Sequence, residues 1–278
     1  MISIGLYVGE STGLEFVKYL VKKNNINYLI STDEKYKNIL KVICKKNNIK
    51  FFSKKKIITK NILKLNEKTD VIISVFSRYI FPKKLLLKFK GQIFNVHPGI
   101  LPFYAGTNSI SGTIYNNEKL TGVTIHRVTS KIDGGDIAII KKIRIADNDL
   151  AIDVWRKLRI LTIKALKELL IKISKNKITL KKNNIKLRKK FPKYIPYNGL
   201  ISNNMKFKDL IKIYKAGYYY PYNSPWGSLK IMHKKKSKLI LKIKEIKNYR
   251  NKNNRVNKIN ENCFVINLGN KTLKLDTN

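Results

Sequence analysis

The chain has 278 residues, enough for one large domain and a small one, with 59 Lys and Arg against 17 Asp and Glu and a formal net charge of +42. Only eight of the 59 cations are Arg, and the lysines are spread among Asn and Ile, which argues for compositional bias over a base-reading surface. Apolar runs such as VIISVF are far too short to cross a bilayer, MISIGLYVGE lacks the basic start of a secretory leader, and Cys44 and Cys263 have no metal-ligand spacing, so a cytoplasmic protein with reduced thiols and no metal is expected.

The first segment reads strand (ISIGLYVG), turn (ESTG) and helix (LEFVKYLVKKNN). Gly9 and Gly13 bracket Ser11 and Thr12, whose side chains can cap the helix and whose N–H groups can meet an anionic acceptor. NYLIST then reads as a strand, EKYKNILKVICKKNN as a helix, IKFF as a strand, Lys60 to Lys68 as a helix and DVIISVF as a strand. Repeated β-α-β units with apolar strands predict a parallel, doubly wound α/β sheet with its site at the carboxyl ends of the strands.

The next strand, GQIF, delivers Asn95 and His97, two residues apart and therefore on one face, and Pro98 stops it. TGVTIHRV alternates as another strand, and the turn Asp133-Gly134-Gly135-Asp136 follows it. His126 alternates with Ile125, which places it opposite the buried face as a supporting polar residue. An amide donor can hold an oxyanion, an imidazole can move a proton, and a carboxylate can orient either the imidazole or a water. No GxSxG elbow, P-loop or HExxH pattern occurs, so direct transfer of a carrier-bound group fits better than covalent catalysis.

After the strand IAIIKKIRI, a long amphipathic helix is predicted from Leu150 to about Lys175, with Trp155, Leu158, Leu161, Ile163, Leu166 and Leu169 as its apolar stripe. A basic connector containing Pro192, Pro196 and Gly199 comes next, then a short helix, FKDLIKIYKAG. The strands SLKIMH, SKLILKIKEIKNY, ENCFVINLG and KTLKLD suggest a small barrel, with His233 solvated between two of them. The expected organisation is a catalytic domain over 1–178, a linker over 179–203 and a β-rich module over 204–278.

NVHPGILP, TGVTIHRV and IDGGD, in that order, resemble the motif of the 10-formyltetrahydrofolate-dependent formyltransferase family, which runs Asn-x-His, Leu-Pro, Thr-Gly-x-Thr and Asp-x-Gly. The resemblance implies a Rossmann-like catalytic domain with an oligonucleotide-binding-like C-terminal module, and Asn95, His97 and Asp133 as catalytic residues. In that reading Asn95 donates to the oxyanion, protonated His97 assists, and Asp133 holds His97 and a water that relays the amine's proton. Folate contacts then fall on Tyr79, Ile80, Phe81, Gly134, Gly135 and Asp136, and acceptor contacts on Gly9, Ser11, Thr12, Tyr104, Gly106 and Thr107. The formyl donor is 10-formyltetrahydrofolate, and the favoured acceptor is the amine of a nucleotide-linked amino sugar. Methionyl-tRNA is the alternative acceptor, a homodimer is open, and no membrane partner is implied. Against tRNA stand DEKYKN, which leaves no room for the basic inserted loop of the tRNA enzymes, and FYAGTNSIS after Leu101-Pro102, where they carry Arg-Gly.

Overall fold

The computed structural model describes residues 2–22, 25–53, 69–77, 79–89, 91–202, 205–233, 235–246, 257–268 and 271–278. The helix expected over Lys60 to Lys68 lies outside the described residues. In chain order the first elements are β1 (Ser3–Val8), α1 (Glu10–Leu20), β2 (Asn25–Ser31), α2 (Lys37–Lys46), β3 (Lys50–Ser53) and β4 (Val71–Val75). They continue as α3 (Lys83–Lys88), β5 (Ile93–His97), α4 (Ser109–Tyr115), β6 (Leu120–Arg127), β7 (Ile137–Arg144) and α5 (Ala151–Ser174).

Seven strands form one sheet in the order β3-β2-β1-β4-β5-β6-β7. The pairs β3-β2, β2-β1, β1-β4 and β4-β5 are parallel, and β6 runs antiparallel to β5. Every residue of β4 is buried, as is β1 from Ile4 to Val8, which explains their unbroken apolar runs. The predicted doubly wound, mostly parallel sheet is therefore what forms. The order reverses between β1 and β4, but the polar cluster described below stands at the end of β5, where parallel pairing gives way to antiparallel.

The chain divides into two compact units whose segments alternate along the sequence. The first comprises Met1–Thr107, Gly122–Ile143 and Lys157–Lys189. Its share of α5 buries Leu158, Thr162, Ala165, Leu166, Leu169 and Leu170, so the inward stripe passes through small residues and leaves Leu161 and Ile163 at its margin. The apolar-only pattern missed that shift because Ala and Thr fill the tightest helix contacts.

The second unit comprises Asn108–Thr121, Arg144–Arg156 and Lys190–Asn278. It contains α4, α6 (Phe207–Gly217) and an antiparallel sheet ordered β10-β11-β12-β9-β8. Those strands are β8 (Lys230–His233), β9 (Lys236–Ile246), β10 (Asn257–Asn260), β11 (Cys263–Leu268) and β12 (Lys271–Thr277). The polar β10, NKIN, gave no apolar alternation from which to predict it. Leu210, Ile213, Leu229, Ile231, Ile240, Phe264, Leu273 and Leu275 make a core of its own, with Tyr115 at the edge of α4 packed against it. Each fully buried Leu or Ile contributes about 1.5–3 kcal/mol relative to exposure. His233 is not solvated as expected: its ring packs edge-on against Phe264 with centroids 5.4 Å apart, and its Nε2 is buried. Among the described residues no helix is long and apolar enough to cross a membrane.

Candidate active site

The site grows from the register of two strands. Asn95 stands opposite His126 and His97 opposite Thr124, while Phe94 and Val96 turn to the other face of the sheet. Four polar side chains therefore line one face of the β5-β6 pair. Thr124 secures the turn after β5: its hydroxyl donates to the Gly99 carbonyl at 2.7 Å and accepts the Leu101 N–H at 3.1 Å. That turn leads to Tyr104, whose carbonyl lies 2.6 Å from His97 Nε2.

Asp133 closes the group from the loop after β6. Its Oδ2 lies 3.4 Å from His97 Nδ1 and accepts the Gly106 N–H at 2.7 Å, and its Oδ1 lies 3.2 Å from His126 Nε2. His126 Nε2 also faces Asn95 Nδ2 at 3.3 Å, and its Nδ1 donates to the Arg127 carbonyl at 2.8 Å. With Nδ1–H engaged, Nε2 accepts from Asn95 when the ring is neutral and donates to Asp133 when it carries a second proton. His126 thus joins the amide to the carboxylate. The expected placement opposite the buried face is corrected: both faces of β6 are buried, and His126 supports the trio from within by bridging Asn95 and Asp133.

Burial is the largest influence on His97 and pushes its pKa below the ordinary 6.5, against the Asp133 carboxylate and the Tyr104 carbonyl, which raise it. That direction favours the neutral imidazole, whereas the sequence reading has His97 assist as the protonated ring. Its Nε2–H goes to Tyr104, so an incoming proton lands on Nδ1, beside Asp133. Burial alone would raise Asp133, but the His126 hydrogen bond, the charges of His97 and His126 and the Gly106 N–H together hold it well below the usual carboxylate range. Such an ionised carboxylate orients and balances charge better than it stores a proton. Asn95 and Asp133 are only partly buried and are the members a reactant can touch, while both histidines lie beneath them.

The other nominated residues divide. Tyr104 is buried and contributes its carbonyl; Gly106 (φ +89°) contributes its N–H, and Thr107 is exposed beside it. Gly135 is where the turn crosses β6, since a Cβ there would lie 2.0 Å from the Arg127 carbonyl oxygen. Gly134 is partly buried, and Asp136 exposes its side chain while its carbonyl accepts the Arg127 N–H at 2.8 Å. On the loop after β4, Tyr79 and Phe81 pack against Tyr7 at centroid distances of 5.0 and 4.7 Å, and Ile80 is 79% exposed.

At the start of α1 the capping expectation is overturned. The helix begins at Glu10, its N-cap is Gly9 without a side-chain cap, and Ser11 and Thr12 already lie inside its first turn. Gly9 sits where a Cβ would meet the Phe76 carbonyl oxygen at 2.3 Å, and the Asp33 carboxylate accepts the Glu10 N–H at 3.3 Å. The hydroxyls of Ser11 and Thr12 are buried without a hydrogen-bond partner among the described residues.

The family described as Formyl transferase matches residues 17–170. The bifunctional polymyxin resistance protein ArnA of Wigglesworthia glossinidia brevipalpis is 33% identical over 174 residues, 61% of this chain and 25% of that protein. GDP-perosamine N-formyltransferase of Brucella melitensis biotype 1 is 32% identical over 108 residues, 39% of this chain and 42% of its own. The chain therefore spans less than half the length of these relatives. In fold, it superposes with a TM-score of 0.71 on an N-formyltransferase from Helicobacter canadensis solved with folinic acid and dTDP-3-aminofucose, at 20% identity and over 100% of both chains.

Proposed function

The chain belongs to the formyl transferase family, and on that premise we propose that it moves a formyl group from 10-formyltetrahydrofolate to the primary amine of a nucleotide-linked amino sugar. The observation that carries this reading is the convergence of Asn95, His97 and Asp133 through His126, which gives an amide donor, a proton-holding ring and an ionised carboxylate within one contact network. Relatives named for sugar formylation support the acceptor class.

The residues present fit a folate donor. Asn95 offers a neutral amide at a strand end, and the loops after β4 and β6 expose Ile80 and Ile132, at 79% and 65%, as apolar surface for a ring. The main chain around Tyr79, Ile80 and Phe81 and the turn at Asp133, Gly134 and Gly135 would hold it. Bound there, 10-formyltetrahydrofolate supplies a formyl carbon on a nitrogen that can leave.

Asn95 donates an N–H to the oxygen that gains charge as the amine adds, and His126 keeps the amide turned for that task. Asp133 orients the incoming amine or an intervening water and steadies the positive charge on it. His97 takes the proton released by the amine on Nδ1, where Asp133 Oδ2 stabilises the imidazolium, and returns it through Asp133 and a water to the folate nitrogen as that nitrogen's bond to the formyl carbon breaks. Tyr104 and Gly106 hold the ring and the carboxylate in place, and Thr107, exposed on the same loop, is available to an acceptor. A cytoplasmic setting suits such soluble reactants.

Incubation with 10-formyltetrahydrofolate and, separately, GDP- and dTDP-linked amino sugars or charged initiator tRNA tests the proposal. Tetrahydrofolate should appear with an amino sugar, and mass spectrometry should find its formamide. Release with tRNA alone, falling steeply as salt rises, would transfer the reading to tRNA.

A further inference from the structure

The turn that carries Asp133 is held largely from outside itself. Asp133 adopts a left-handed φ of 46°, which is uncommon for a residue with a side chain although Asp tolerates it better than most. Three carbonyls of the turn are bound by side chains from residues 183–188. Arg188 Nη2 donates to Ile132 O at 2.6 Å, and Asn183 Nδ2 donates to Asp133 O at 2.9 Å and to Gly135 O at 3.2 Å. Lys181 and Ile137 exchange two backbone hydrogen bonds of 2.8 Å at the far end of the same turn.

This stretch also reaches the second loop of the site. Lys189 N donates to the Phe103 carbonyl at 2.7 Å, one residue before the carbonyl that engages His97. Asn183 is only 6% exposed, and its Oδ1 is buried with no hydrogen-bond partner among the described residues. Its amide nitrogen is therefore the atom that engages the turn.

We propose that residues 181–189 act as a strap that sets the Asp133 turn against His97, with Asn183 as a positioning residue for formyl transfer. The strap lies in the segment read from sequence as a plain linker. The inference rests on the function proposed above, and its test includes a readout that needs no substrate. Asn183 carries no charge, so replacing it removes none from the surroundings of His97, which are Asp133, His126, the Tyr104 carbonyl and Arg188.

In Asn183→Ala, kcat should fall about ten- to a hundredfold with KM for both reactants within about twofold, the signature of misplacement at the reacting centre. Imidazole NMR without substrates should show His97 titrating lower still, because a loosened Asp133 opposes burial less; the chain has three histidines, and His233 in the second unit serves as reference. Should Asn183→Ala fail to fold, Arg188→Ala against Arg188→Lys decides: loss of kcat in the first and recovery in the second supports the strap. A kcat within about twofold of wild type, with His97 titrating unchanged, overturns it. If the wild type releases no tetrahydrofolate with any acceptor, formyl transfer falls, and the His97 titration still decides the strap.

Discussion

At the end of β5 the polar groups answer one another, with Asn95, His97, His126 and Asp133 in a single network. At the start of α1, two strands away along the same edge of the sheet, Ser11 and Thr12 bury hydroxyls that no group answers, and the Glu10 N–H is taken by Asp33. Both stretches looked like sites from their residue types. The difference teaches that residue type alone does not make a site: at β5 the strand register brings the groups together, whereas at α1 the close approach at Gly9 starts the helix too early for Ser11 and Thr12 to cap it.

The comparison breaks first at the β5 cluster. Asn95→Ala should lower turnover about a hundred- to a thousandfold with little change in thermal midpoint, and His97→Ala and Asp133→Ala at least as much. Steady-state assays of tetrahydrofolate release would check this, and a variant keeping more than about a tenth of wild-type turnover would remove that residue from the mechanism.

Titration sharpens the contrast. The folded-state pKa of His97 lies below its ordinary 6.5, so its contribution to stability is complete above that pH and is lost as pH falls toward the folded value. Asp133 adds a loss of the same sign below its ordinary 3.8. Thermal melts should show the midpoint dropping between about pH 6.5 and pH 5, and His97→Gln should flatten that drop. An equal drop in His97→Gln would assign it to other groups.

Smaller effects belong to α1. Asp33→Ala should cost about 1 kcal/mol in chemical denaturation, through loss of its bonds to the Glu10 and Lys35 N–H groups, with turnover unchanged. Thr12→Val, which replaces an unanswered hydroxyl by a methyl, should change stability by less than about 1 kcal/mol and toward the stabilising side. A raised KM for the acceptor in Thr12→Val, with stability held, would restore a binding role to the helix start.

Local pattern made much of this legible. The spacing of Asn95 and His97 placed them on one face, the Asp133 turn followed a recognisable strand, and the β-α-β rhythm gave the sheet. What stayed hidden depends on partners far away in sequence. His126 matters because β6 pairs antiparallel with β5 in a register that sets it opposite Asn95. Two strands with polar residues at matching alternate positions, FNVH and VTIH, carried a hint of that. Asn183 gave none, being one of two asparagines in a lysine-rich run. Ser11 and Thr12 misled because cap preference assumes a helix starting after them, whereas Gly9 lets the chain approach Phe76 and begin one turn earlier.

The interleaving of the two units bears on how the protein is made. Translation delivers α4, ending at Tyr115, well before α6 and the strands β8 to β12 of its own unit, which follow only after Lys190. On the ribosome Tyr115 awaits the core it packs against for about 90 residues of synthesis, a delay of several seconds at roughly 5–20 residues per second. A ribosome stalled before α6 would therefore display α4 without the helix it packs against.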